Sequence, residues 1–134
     1  MKDNKQTFKD LGLLWLRILM GSGIAYHGYG KVFGGDITPL IKGVTGMGFP
    51  YPEVFAWAAA LSEFLGGICI VLGLLTRPAA FFVFSTMSVA AFIAHKADPL
   101  QTKELALAYW TMAGTVLFLG AGKFNAHQLF KGKK

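Results

Sequence analysis

The chain has 134 residues, enough for one domain; 54% of them are hydrophobic and only 15% are charged, against roughly 25% charged in an average soluble domain. The mean hydropathy is +0.48. This composition excludes a disordered chain, which needs low hydrophobicity and high charge. A disulfide scaffold is excluded too, because Cys69 is the only cysteine and has no partner within the chain. The composition therefore indicates a small integral membrane protein.

Four apolar segments follow one another along the chain, and each is close to the length of a membrane-crossing helix. Crossing the hydrocarbon core takes about 20 residues, with about 17 as a lower limit. The first segment is interrupted by Arg17 and His27 and the second by Glu63, whereas the other two apolar stretches carry no charge. We predict an all-α integral membrane four-helix bundle, a single domain over residues 1–134. Its helices are expected at about residues 11–32, 54–75, 78–95 and 104–121.

The positive charges predict how this bundle lies in the membrane. Four crossings put both termini on one side, which carries eight positive residues: Lys2, Lys5, Lys9, Arg77, Lys123, Lys131, Lys133 and Lys134. The other side carries four: Lys31, Lys42, Lys96 and Lys103. Because positively charged segments favour the cytoplasm, both termini are predicted to be cytoplasmic. The net charge of +6 lies on that face, where it suits anionic lipids of the bilayer and predicts no nucleic-acid partner.

Arg17, Glu63 and His27 are predicted to form an intramembrane polar core. Charged side chains near the bilayer centre are costly, so they usually face the bundle interior and find partners. Arg17 and Glu63 are expected about 9 and 18 Å above the inner ends of their helices, a gap that an arginine side chain can largely span. We therefore expect an Arg17–Glu63 pair, with His27 hydrogen-bonded to the glutamate and passing protons. Two interpretations stay open: the charges belong to a ligand or proton pathway, or the pair only holds two helices in register.

Aromatic and basic residues in the outer half define a candidate site for a flat ligand such as a quinone. We predict the following members: Tyr26, Lys31, Met87, His95 and Trp110. The aromatic rings among them would stack on the ligand. The alternative is that they belong to the aromatic belt that membrane proteins place at the lipid–water interface. The Cys and His spacings predict no metal site, and no cofactor other than a quinone is suggested.

Several motifs resemble those of the DoxX family. The most specific is Glu63-x2-Gly66-Gly67, followed by the run Leu72-Gly73-Leu74-Leu75-Thr76-Arg77. The similarity extends from about residue 11 to residue 130. The residues that match the family's motifs are Arg17, His27, Lys31, Glu63 and, on the cytoplasmic side, Arg77.

The resemblance implies a multi-pass protein of the bacterial cytoplasmic (inner) membrane. Some DoxX-like proteins are the membrane part of thiosulfate:quinone oxidoreductase, and others are described as joining a superoxide dismutase and a sulfurtransferase. It therefore implies a membrane subunit of a quinone-linked oxidoreductase complex, in thiosulfate/sulfur or oxidative-stress redox chemistry, with soluble redox partner subunits. Whether the chain is itself an enzyme stays open, because the motifs assign no catalytic roles. The alternatives are a non-catalytic scaffold for soluble redox enzymes and a small transporter or channel, which would need a homo-oligomer.

Overall fold

The computed structural model describes residues 2–132, which form helices and no β-strand. Within that range there are six α-helices: α1 (Lys2–Phe33), α2 (Thr38–Gly46), α3 (Pro52–Leu72), α4 (Thr76–Val89), α5 (Leu100–Leu119) and α6 (Ala126–Lys131). Helix α4 continues directly into a π-helical turn, Ala90–Ala94. The all-α prediction is confirmed. Lys133 and Lys134, which were counted among the positive charges near the termini, lie outside the described residues.

The long helices α1, α3, α4 and α5 correspond to the four predicted crossings, but their ends differ from the predicted ones. Helix α1 begins at Lys2 rather than near residue 11, and its length of about 48 Å exceeds the hydrocarbon thickness of about 30 Å. Helix α3 ends at Leu72, earlier than predicted, because Gly73 takes up the left-handed conformation that terminates helices (φ 73°). The start of α5 at Leu100 is also earlier than predicted.

Two helical stretches among the described residues are long and apolar enough to cross a membrane, Pro52–Leu72 and Thr76–Ala94. Large apolar side chains also cover much of the outer surface, among them Trp15, Phe82 and Phe118. Soluble monomers rarely expose extended apolar surface, whereas lipid contact stabilises it. The crossings by α1 and α5 and the cytoplasmic position of the termini stay predictions.

Neighbouring long helices pack antiparallel, which gives the molecule two distinct ends. The first, called here the terminal end, holds Asp10 and the segment 120–125; the backbone N–H of Lys123 donates to Asp10 Oδ1 at 3.3 Å. The second, the α2 end, holds Lys31 and His95 together with helix α2. Polar groups of α1 are thus placed at both ends of the helix packing.

Helix α2 is a short cover at the α2 end. It begins after Asp36, whose Oδ1 accepts the backbone N–H of Thr38 at 2.9 Å. The hydrogen bonds that Thr38 donates, from its side chain and then its backbone, hold the pKa of Asp36 below its ordinary value. Helix α2 packs against α3 and buries Val44. This contact closes one side of the space between α3 and α4.

Glycines let α1 and α3 approach at backbone distance. A Cβ atom added to Gly67 would lie 2.6 Å from the carbonyl oxygen of Gly21. One added to Gly28 would lie 2.3 Å from the backbone nitrogen of Phe64. Small residues at such crossings permit the close packing that holds membrane helices together. The register of α1 against α3 is therefore fixed by backbone contact.

Gly28→Ala is expected to lower the free energy of unfolding by about 1–3 kcal/mol, the range for an overpacked interior, because the backbone of Phe64 cannot move aside alone. Gly30→Ala is the matched control, since a Cβ at Gly30 faces open space on the same helix; no loss is expected there. Thermal unfolding of the purified protein in detergent measures both. Equal melting temperatures for the two variants would contradict the close crossing.

Candidate functional site between the helices

An ion pair between a partly exposed lysine and a buried glutamate joins α1 to α3. Lys31 Nζ lies 2.7 Å from Glu63 Oε1 and 2.8 Å from Oε2. Glu63 is 1% exposed, whereas the Lys31 side chain keeps 38% of its surface. Lys31 also lies in the last turn of α1, where a cation is favoured by the helix dipole. Because a carboxylate is stable in an apolar interior only when it is paired, Lys31 is what allows Glu63 to be buried as an ion.

The predicted Arg17–Glu63 pair is wrong. The Arg17 guanidinium, 1% exposed, lies toward the terminal end and binds four backbone carbonyls: Ile70 (2.9 Å), Val71 (3.0 Å), Phe124 (2.6 Å) and Ala121. The last carbonyls of a helix lack a full set of intrahelical donors, and a guanidinium has several N–H groups in a fixed fork. Arg17 therefore links the end of α3 to the segment after α5.

Two cavities meet at the Lys31–Glu63 pair. The first, called here the small chamber, has a volume of about 200 Å³ and lies between α1, α4 and α5. The second, the large chamber, has about 460 Å³ and lies between α2, α3 and α4. Four residues line both: Lys31, Glu63, Ala90 and His95. The common wall thus includes the start of the π-helical turn, a feature that is frequent at functional sites.

The small chamber has a polar and aromatic lining. His27 and Tyr109 meet edge to face there, with ring centroids 5.9 Å apart, and the buried Met87 forms another part of the wall. In the described part of the chain both Glu63 oxygens accept hydrogen bonds from Lys31 alone. The predicted His27–Glu63 hydrogen bond is therefore not formed, although both residues face the same space.

His95 lines both chambers near the α2 end, and its partial exposure places it at their rim. Its Nδ1 is 2.7 Å from Asp98 Oδ2, and both side chains are partly exposed. The structure thus brings His27, Lys31, Glu63, Met87 and His95 together around one space, as members of the predicted polar core and ligand site. Within residues 2–132 there is no group of three or more His, Cys, Asp or Glu residues suited to a metal ion.

Three predicted residues lie outside the chambers. Arg17, described above, is a fourth. Tyr26 is on the outer surface and 77% exposed. Trp110 packs against α4, where its Nε1–H donates to Ser88 Oγ at 3.0 Å. Arg77 is at the terminal end and donates to the Phe118 carbonyl at 3.3 Å. None of the three lines either chamber.

Tyr109 is the aromatic residue of the small chamber that the predicted ligand site left out. Its hydroxyl lies against the backbone of Gly23, so closely that a Cβ there would be 2.2 Å from the oxygen. Tyr109 and Trp110 are neighbours in sequence, and one helical step of about 100° separates their directions. Only the rotation of α5 about its axis, which the sequence pattern leaves open, decides which ring enters the chamber.

The fold and the site define a helical membrane protein with a partly buried ion pair between two chambers. The model of the DoxX family matches residues 12–96, and the chain belongs to this family, as its motifs predicted. It is 32% identical over 133 residues to inner membrane protein YqjF of Escherichia coli K12, covering 96% of this chain and 98% of that protein. It is 30% identical over 127 residues to an uncharacterized protein of Haemophilus influenzae, covering 90% of this chain and 91% of that protein. No solved structure matches the chain significantly.

Proposed function

We propose that this DoxX-family protein binds the ring of a quinone in its small chamber and serves as the membrane subunit of a quinone-linked oxidoreductase complex. The main observation in support is the Lys31–Glu63 pair, which faces a chamber also lined by His27, His95 and Tyr109. Similarity to an inner membrane protein of Escherichia coli supports placing it in the bacterial inner membrane. Electrons would come from a soluble redox partner subunit, as the family resemblance implies.

The lining fits a small ring that carries oxygen atoms. The chamber of about 200 Å³ has aromatic walls in His27 and Tyr109, and rings prefer edge-to-face or offset contacts with other rings. The Lys31 ammonium has more N–H donors than the two Glu63 oxygens use, so it can also donate to a ligand oxygen. A bound quinone would supply the exchange of electrons and protons.

The side chains of this chain would bind the ring and hold protons beside it. Lys31 pairs with Glu63, in the place where the sequence interpretation put Arg17. The Tyr109 hydroxyl and the His27 ring each carry a proton that can be donated to a ligand oxygen. His95, at the rim and paired with Asp98, connects the chamber to the aqueous surface at the α2 end.

Tyr109→Phe is expected to weaken binding of a tail-less benzoquinone by about two- to tenfold, because one hydrogen bond to a ligand oxygen is worth about 0.5–1.5 kcal/mol. Trp110→Phe is the matched control, since Trp110 is the next residue of α5 but lies outside the chamber; no change is expected. Titration calorimetry on purified protein in detergent measures both affinities.

The stronger test removes two lining groups together. Glu63→Gln combined with His27→Ala is expected to abolish ring binding, provided that the double variant keeps its helical circular dichroism. Equal affinity of wild type and the folded double variant would reject the proposed function.

A further inference from the structure

We infer that the large chamber binds the hydrocarbon tail of the same ligand whose ring-sized head occupies the small chamber. The ligand is then an amphiphile that lies across the Lys31–Glu63 pair. The head's identity as a quinone rests on the proposed function, whereas the tail site rests on the large chamber itself.

The first support is the wall that the two chambers share. Lys31, Glu63, Ala90 and His95 line both spaces, so the two spaces are adjacent, and a ligand that occupies both would lie along these four residues. The large chamber, at about 460 Å³, has more than twice the volume of the small one, at about 200 Å³. A single ligand with a compact polar head and a larger apolar part matches this division.

The second support is the chemistry of the large chamber. Phenylalanine and aliphatic side chains dominate its lining. Its two serines donate their hydroxyls within their own helices: Ser62 to the Ala58 carbonyl at 2.6 Å, and Ser85 to the Phe81 carbonyl at 2.8 Å. Apart from the Thr86 hydroxyl, the lining away from the shared wall offers a polar ligand few free hydrogen-bonding groups, and each polar group left unpaired there would cost a few kcal/mol. A hydrocarbon chain has no such groups, and its burial is favourable.

The third support is the cover over the large chamber. Leu40 and Val44 of α2 line it, followed by Met47 and Phe49. Phe49 also packs on Phe55 of α3, with ring centroids 5.2 Å apart. The chamber is therefore more than a groove between lipid-facing helices, because a dedicated segment of the chain lies across it. This arrangement favours a specific tail over a passing membrane lipid.

The experiment compares three probes and four proteins. The probes are a tail-less benzoquinone, the same ring with a decyl tail, and decanol, which has a tail and no ring. The proteins are wild type, two variants that fill the large chamber from opposite walls (Ala59→Phe on α3 and Ser85→Phe on α4), and Leu65→Phe, an exposed position on α3. Partitioning of each probe into detergent is the same for every protein, so differences between proteins report the chamber.

Ala59→Phe and Ser85→Phe are each expected to weaken binding of the tailed ring by about tenfold or more, while the tail-less ring keeps its wild-type affinity. Leu65→Phe is expected to change neither. Two filling variants from different helices keep the test decisive when one of them fails to fold.

The outcomes separate this inference from the proposed function. Unchanged affinity for the tailed ring in a folded filling variant overturns the tail site, even when the ring itself binds. Binding of decanol that is lost in the filling variants, without any binding of the tail-less ring, supports the tail site and rejects the quinone. Failure of all three probes to bind wild type overturns both.

Discussion

Arg17→Met is expected to lower the free energy of unfolding by about 3 kcal/mol or more, because several backbone carbonyls lose their charged donor at once. Methionine keeps much of the apolar stem but donates no hydrogen bond. The carbonyls of Ile70, Val71 and Phe124 would then lose a charged donor in a site where Arg17 is 1% exposed. Each buried carbonyl left unpaired costs about 1–3 kcal/mol. Thermal unfolding in detergent measures the loss.

Arg77→Met is the matched control for that variant. Arg77 also donates to a backbone carbonyl, that of Phe118, but it is exposed and its single bond is long, at 3.3 Å. Surface substitutions usually change stability by less than about 0.5 kcal/mol. A small and similar loss in both variants would mean that water replaces the guanidinium at the terminal end.

Arg17 and Asp10 together explain why the segment 120–125 is fixed to α1. Arg17 donates to its carbonyls, and Asp10 accepts the N–H of Lys123 at 3.3 Å. The two residues are seven apart on α1 and so face the same side of the helix. One helix face therefore satisfies both kinds of backbone group in a segment that makes helical hydrogen bonds only at its two ends, at Gly120 and Asn125. This gives Arg17 a structural role at the end opposite to the chambers.

The long helices could be predicted from the sequence, because apolar run length is a local property that directly reflects burial in protein or lipid. Their ends were predicted less well. The first helical turns of α1, between Lys2 and Asp10, are polar, so a prediction from hydropathy leaves them out of the helix. Gly73 ends α3 early through its left-handed backbone, which places the carbonyls of Ile70 and Val71 level with Arg17.

Several residues of the candidate site could be predicted from the sequence, but the pairing of Lys31 with Glu63 could not. Lys31 and Glu63 both matched family motifs, yet they are far apart in sequence and meet only through the register of α1 on α3. That register depends on backbone contacts at Gly28 and Phe64. An estimate of depth from the number of residues to each helix end does not include these contacts. The depth estimate predicted that Arg17 lies near Glu63, whereas in the observed register Lys31 is the residue that contacts Glu63.

Lys31→Met is expected to lower the free energy of unfolding by about 3–5 kcal/mol, because it leaves the carboxylate of Glu63 buried and unpaired. Glu63→Gln is expected to cost much less. The Lys31 side chain is 38% exposed, so its ammonium can turn to water when the carboxylate is gone. Glu63 is 1% exposed, so its carboxylate cannot reach water when Lys31 is replaced.

The double variant Lys31→Met/Glu63→Gln is therefore expected to be more stable than Lys31→Met alone, by about 2 kcal/mol or more, since the second change removes the buried charge. Lys42→Met on the exposed surface of α2 is the control and should leave the melting temperature unchanged. Thermal unfolding of all four variants gives the coupling free energy of the pair. Equal losses from both single changes, adding up in the double variant, would show that the two charges are stabilised independently and that Lys31 is not what keeps Glu63 ionised between the chambers.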